Sequence, residues 1–292
     1  MSEKVDKKTS DNQRKNPQRK LQVSNGHYLD LDQLARLMIT VKNNVTSTLS
    51  LDGLAEETGL PRRQVRNRIS IGRAVGVFQK NAFFLTEFGR LVAEYDQFFD
   101  EEATLELVHY QAASAYENLI WYELFNTMVI EKDAFDYQGL LDSFRVSLEG
   151  LYSKESLTEH VRKELRFLLD AYTKDKLKRL EVLLETSDGR YMRGRHRIKD
   201  ALVAAALIYC FCEAQDRHVC SIDELCSEKG APGLLFGVNG TGMREMVEAL
   251  HEKRWLRYET THSLDQIRLM SAYDSTEFMR AYYERRSPSG NE

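Results

Sequence analysis

Apolar residues recur along most of the chain at three- and four-residue intervals, the spacing that lines one face of a helix. Leu31, Leu34, Leu37 and Met38 set this period first and predict a helix. Within residues 49–92 the pattern breaks into shorter pieces. Leu51, Leu54 and Ala55 predict a brief amphipathic helix ending at Gly59, where a C-cap favours a residue tolerant of positive φ. Pro61 suits the first turn of the next helix, where its missing N–H costs nothing. Val65, Ile69 and Ala74 mark the inward side of that helix, and Arg62, Arg63, Gln64, Arg66, Asn67 and Arg68 take its other faces. Beyond Gly76, two apolar runs at 77–78 and 83–85 flank Gln79, Lys80 and Asn81. Helix, tight turn, helix and polar-tipped hairpin predict an N-terminal winged helix-turn-helix domain over residues 25–95. The helix through Leu31 is its first member.

The helical period continues through 96–187. Leu105, Val108, Ala112, Leu119, Tyr122 and Phe125 predict one long helix over 104–128, and further helices are expected over 137–152 and 157–172. Together they predict a central helical bundle. Residues 188–199, DGRYMRGRHRIK, interrupt it. An apolar helix over 200–214 follows, then a capping box at Ser221 and Glu224. A glycine-rich loop leads to a helix over 243–252, and runs at 255–259 and 266–270 can pair as a hairpin. This order predicts a C-terminal winged-helix-like unit over 188–284. Residues 1–24 offer little to bury and are expected to be a disordered basic tail, with 285–292 a second tail. The fold class expected is mostly α.

Composition agrees without adding much: 42% of the 292 residues are apolar and 29% charged, as in globular proteins, with four prolines. The net charge of −4 argues against a nonspecific DNA coat, but the charge is segregated. Residues 61–80 hold six bases (Arg62, Arg63, Arg66, Arg68, Arg73 and Lys80) and no acid, whereas 94–106 hold six acids and no base. The apolar run 201–212 is too short for a membrane span of roughly 20 residues. Four cysteines without regular spacing fit a reducing interior, so a cytoplasmic location is expected and no membrane partner.

Arginine, glutamine and asparagine on a helix face can make paired contacts to guanine and adenine edges, so 62–73 points to double-stranded DNA. Arg63, Gln64, Asn67 and Arg68 are the expected groove face, with Lys80 and Asn81 on phosphate or the neighbouring minor groove. A basic helix used for protein contact is the competing reading. Arg190, Arg193, Arg195, Arg197 and Lys199 form a second basic cluster, in which Gly189 and Gly194 would let the backbone approach phosphate. A solvated linker competes equally there. GVNGTG at 237–242 lacks the Gly-Lys-Ser/Thr ending of a phosphate loop. The acids of 94–106, with His109 close behind, read as a solvated acidic loop rather than a metal site. Cys210 and Cys212 lie two apart on one helix, on nearly opposed faces, and read as buried thiols. No metal ligand and no catalytic residue is assigned.

Several phrases resemble one known family. These are LTEFGRLV at 85–92, ATLELVHYQAASAYENLIWYELFN at 103–126, DALVAAALIYC at 200–210, SIDELCSEKGAPGLLFGV at 221–238 and FMRAYYE at 278–284. The chain resembles, over roughly 26–284, the SspB-like group of prokaryotic DNA-phosphorothioation and phage-defence operons. Members typically carry an aromatic-rich opening after a Gly-His pair; here Gly26-His27 is followed by YLDLDQL. The resemblance implies a DNA-acting partner of a cysteine desulfurase, an ATPase and a sulfur-transfer enzyme. It also implies a nicking activity in some members, for which Mg²⁺ or Mn²⁺ would serve. The alternatives are a non-catalytic DNA-binding adaptor and a winged-helix transcriptional regulator, as a monomer or a homodimer.

Overall fold

The computed structural model describes residues 19–25, 27–44, 49–130, 133–261 and 264–286. It is mostly helical. The first helices are α1 (Leu31–Asn43), α2 (Leu51–Thr58), α3 (Arg62–Ala74) and α4 (Glu87–Tyr95). Side chains written into the sequence fix where they start. Asp30, Ser50 and Thr86 each accept a hydrogen bond from a backbone N–H in the first turn of α1, α2 and α4. Gly59 closes α2 at φ 66°, as its C-cap position requires. Between α3 and α4 the chain makes only a single antiparallel bridge, Phe78 to Leu85. Gly89 permits this arrangement, because a Cβ there would lie 2.1 Å from the Val77 carbonyl oxygen.

The middle of the chain departs from the expected pattern at two places. The long helix predicted over 104–128 is broken into α5 (Glu102–Ser114), α6 (Leu119–Glu123) and a π-helical turn at Leu124–Met128. The chain leaves the helix at Ala115, which is extended, and Asn118 braces the break: its Nδ2 donates to the carbonyls of Ala74 and Ala112 at 3.2 and 3.1 Å. Helix α7 (Tyr137–Ser147) stops short of 152, ahead of Gly150 at φ 80°. Helix α8 (Lys154–Thr173) follows. Strands β1 (Leu183–Glu185) and β2 (Tyr191–Arg193) then pair antiparallel, so residues 191–193 are strand rather than linker.

The C-terminal third comprises α9 (Ala201–Ala214), β3 (Val219–Ser221), α10 (Ile222–Ser227), α11 (Pro232–Phe236), α12 (Gly240–Glu252), β4 (Leu256–Thr261) and β5 (Leu264–Leu269). The predicted capping box on α10 is formed. Strands β4 and β5 make the predicted hairpin, and β3 adds to β5, giving the order β3-β5-β4. Helix α13 (Ser275–Arg286) packs on both α9 and α4. Its Tyr283 bonds Thr104 at 2.6 Å and its Arg280 pairs with Glu87 at 2.8 Å. One apolar core runs continuously from Leu21 to Tyr283.

Residues 19–24, assigned by composition to the tail, form an ordered strap; residues 1–18 and 287–292 lie outside the described residues. Leu21 and Val23 are buried, and Lys20 pairs its backbone with Glu117 and Leu119 at 2.8 and 3.2 Å. A carboxylate on α8 holds the strap from beneath: Glu164 accepts from the Val23 and Ser24 N–H groups and from Ser24 Oγ, the last at 2.7 Å. Burial drives the Glu164 carboxyl up to about 7, with these three donors pulling the other way. Two apolar side chains and a buried acceptor thus order what composition alone assigned to solvent.

Candidate nucleic-acid interface

Helix α3 follows the Gly59-Leu60-Pro61 turn and buries Val65, Ile69, Ile71 and Ala74. Its polar side divides into two sets. Arg63 and Arg66 are exposed and form no ion pair or side-chain hydrogen bond among the described residues. Arg62 reaches Asp52 at 3.1 Å, a pair open to water and easily exchanged. The other set holds the fold. Arg73 donates to the carbonyls of Gln79 and Ala82 at 3.1 and 3.3 Å, fastening the turn beyond α3. Arg68 folds back on Gln64, donating to its backbone and side-chain oxygens, and burial lowers its pKa. Lys80 pairs with Glu117 and Asn81 is exposed.

Asn67 corrects the expected groove face. It is buried, and its Oδ1 accepts from Asn25 Nδ2 at 3.2 Å. Asn25, just past the strap, meets the side of α3 on which the sequence pattern showed only another polar residue. A polar residue one position off an apolar stripe is inward as often as the neighbouring element demands, and that element lies some 40 residues earlier in the chain.

The second cluster runs on from β2 as an extended segment. Gly194, His196 and Ile198 are buried, while Arg195, Arg197 and Lys199 are exposed, a strict two-residue alternation. The segment is laid against neighbouring backbone: Gly194 N–H donates to Val182 and His196 N–H to Phe236, at 3.0 and 2.8 Å. Gly194 has no room for a side chain, since a Cβ would lie 1.7 Å from the Glu181 carbonyl oxygen. Three of the five bases have partners within the protein, two of them in pairs open to water. Arg190 pairs with Asp188 at 2.7 Å, Arg193 donates to the Leu234 carbonyl at 2.5 Å, and Lys199 pairs with Glu102 at 2.9 Å. Arg195 and Arg197 have no hydrogen-bond or ion-pair partner among the described residues.

The acids of 94–106 are not a solvated loop. Asp96 is buried and accepts from the N–H groups of Asp100 and Glu101 at 2.8 and 3.0 Å. Glu101 meets Arg286 at 2.9 Å and Asp100 meets Lys176 at 3.1 Å. Glu106 points into the protein, where His196 Nε2 lies 2.5 Å from its Oε1 and 3.8 Å from Glu102. Burial raises the Glu106 pKa, and the imidazole opposes that rise. His109, the histidine nearest these acids in sequence, turns the other way. Its Nδ1 meets the Tyr172 hydroxyl at 2.6 Å and its Nε2 the Leu235 carbonyl at 3.2 Å. Burial takes its pKa down to about 3.

Glu102, Glu106 and His196 bring one donor atom each within 4.8 Å of one another, the arrangement that a divalent cation would need. As folded, the set does not fit Mg²⁺. Two ligands of one such ion sit roughly 3 Å apart, given bonds of about 2.1 Å, so a 2.5 Å contact is a hydrogen bond instead. The Lys199 ammonium already balances Glu102. Magnesium also takes oxygen ligands in preference to imidazole. What the trio does is fasten the extended 194–199 segment to α5.

The thiols offer no nucleophile at this site. Cys212 and Cys220 are buried and Cys210 and Cys226 half-buried, all four free. Burial pushes the Cys210 thiol up to about 12, far from the thiolate range. The described residues include no helix long and apolar enough to cross a membrane.

This architecture defines the chain by comparison. Residues 72–283 match the model of a family described as "Protein of unknown function (DUF4007)", and the chain belongs to that family. Among solved structures it is similar to "Magnesium ion-bound SspB crystal structure", with a TM-score of 0.73 at 13% identity over 91% of this chain and 89% of that one. A second, "SspB crystal structure", gives 0.71 at 14% identity with the same coverage. The fold is therefore SspB-like. No curated protein matches by sequence.

Proposed function

We propose that this chain is the DNA-engaging component of a phosphorothioation and phage-defence system, with α1–α4 serving as a winged helix-turn-helix and α3 as the helix presented to the major groove. One observation carries the reading: Arg63 and Arg66 stand exposed, without a partner among the described residues, on the helix that follows the tight turn, in a chain whose net charge is −4. Guanidinium groups with no internal partner are free to fork onto phosphate or guanine. The SspB-like fold supports the system; the two arginines support the ligand. Asn81, exposed beyond α3, is offered as a further phosphate contact, and Arg62 joins by exchanging Asp52 for phosphate.

The test is duplex binding by fluorescence anisotropy at several salt concentrations, run beside incubation of supercoiled plasmid with Mg²⁺ or Mn²⁺. Salt-sensitive binding without breakage is expected. Open-circle product that disappears on chelation would assign nicking as well. A sharp preference for one sequence selected from random DNA would favour the regulator over the adaptor. Absence of duplex binding at low salt would overturn the reading.

A further inference from the structure

A cleft of about 690 Å³ opens between α12 and the segment that leads from residue 195 into α9. Its floor is aliphatic: Ile198, Ala201, Ala204, Met246 and Leu250. Its two sides carry opposite charge. Arg195 and Arg197 line one side and Glu245 on α12 lines the other, all three without an ion-pair partner among the described residues. The remaining charges there are paired, Lys199 with Glu102 at 2.9 Å and Asp200 with Arg285.

This chemistry excludes some occupants. A duplex brings phosphate to both sides of any groove it fills, and Glu245 would face one of those strands across a low-dielectric floor. A single strand binds by stacking bases on aromatic faces, and no Phe, Tyr or Trp is among the described residues that line the cleft. Aliphatic floors take aliphatic side chains, as where an amphipathic helix lies in a groove with anchors at i, i+3, i+4 and i+7. A guanidinium pair on one rim then selects carboxylates on the matching flank.

We propose that this cleft docks an amphipathic helical segment of a partner protein, with aliphatic anchors on the floor and acidic residues along the flank facing Arg195 and Arg197. The proposal is independent of DNA binding by α3. The two arginines are also held in place to meet such a flank. The Gly194 contact and the His196–Glu106 bond pin the alternate, inward positions, so that Arg195 and Arg197 must both face out.

The probe is a fluorescein-labelled peptide of about 16 residues with leucines at i, i+3, i+4 and i+7 and glutamates along one flank. A second peptide carries lysines in place of the glutamates. The protein is the full chain, wild type or Arg195→Glu/Arg197→Glu. The acidic-flank peptide is expected to bind the wild type at least about tenfold more tightly than the lysine-flank peptide, with the order reversed for the double variant. Reversal is a gain that a misfolded variant cannot produce. Met246→Glu, on the floor, should weaken both peptides. Duplex affinity should stay at the wild-type level in all these proteins. Failure of the acidic-flank peptide to bind, or equal affinity for both flanks, overturns the proposal. A fall in duplex affinity in the arginine variant also overturns it, and assigns the cleft to nucleic acid.

Discussion

Helices α3 and α12 occupy similar positions in the two ends of the chain, each the last of a helical set and each followed by antiparallel pairing. Their surfaces are opposite. α3 carries Arg62, Arg63, Arg66, Arg68 and Arg73 with no acid, whereas α12 carries Glu245, Glu248 and Glu252, and its single arginine is paired with Asp265 at 2.6 Å. The pairing beyond α3 is one bridge, and that beyond α12 is a six-residue register. Local architecture therefore does not specify a ligand. The charge left unpaired after folding does, because a side chain already bonded inside the protein must first be released before it can bind anything else.

Charge reversal on α3 should have the largest effect. Arg63→Glu/Arg66→Glu should lower duplex affinity by about a hundredfold or more at low salt, and the salt slope should fall by roughly 0.9 for each phosphate the protein no longer neutralises. Anisotropy titrations across a salt series measure both, and unchanged affinity would remove α3 from the interface. Arg73→Ala should instead act on stability, since its guanidinium holds the carbonyls of Gln79 and Ala82.

The strap is anchored on α8 by Glu164. The folded carboxyl of Glu164 lies at about 7, above its ordinary 4.5, so the folded state binds this proton more tightly than the unfolded one. The associated stability is fully present below about pH 4.5 and is lost as pH rises through about 7, amounting to roughly 3 kcal/mol. Glu164→Gln should flatten the dependence of stability on pH across that window, as denaturant melts at several pH values would reveal. A profile of unchanged steepness would sink the assignment.

Smaller again is the expected effect at the 194–199 segment. Gly194→Ala should cost about 1–3 kcal/mol, because the clash is with backbone rather than with a flexible side chain. Thermal unfolding reads this directly. Smallest is charge removal on α12: Glu245→Gln/Glu248→Gln should leave duplex affinity within about twofold if α3 alone meets the DNA, since solvent-exposed charges off the contact face are screened. A large gain in affinity would mean that α12 also lies against the DNA.

How much of this is legible in the sequence varies from residue to residue. The helix starts at Asp30, Ser50, Thr86 and Ser221, and the C-cap at Gly59, are readable because a cap is a local event within a few residues. The brace at Asn118 is not, because one of its acceptors, the Ala74 carbonyl, comes from α3. The His196–Glu106 pair escapes for the same reason, although the alternation of 194–199 is a usable signal that His196 faces inward.

The mostly helical class, the order of most elements and the segregation of charge into a basic α3 and an acidic stretch running into α5 are written in local sequence. Each depends on neighbours within one or two helical turns. Which charged side chains remain free is settled by packing between distant elements. Packing committed Arg68, Arg73, Arg193 and Glu106 to internal partners and buried Asn67 against Asn25. It left Arg63, Arg66, Arg195 and Arg197 outside. Apart from Arg68 and Arg73, which bond within a few residues, the partners lie tens of residues away. The pairing of a charge is a property of packed elements, and periodicity along a chain carries no record of it.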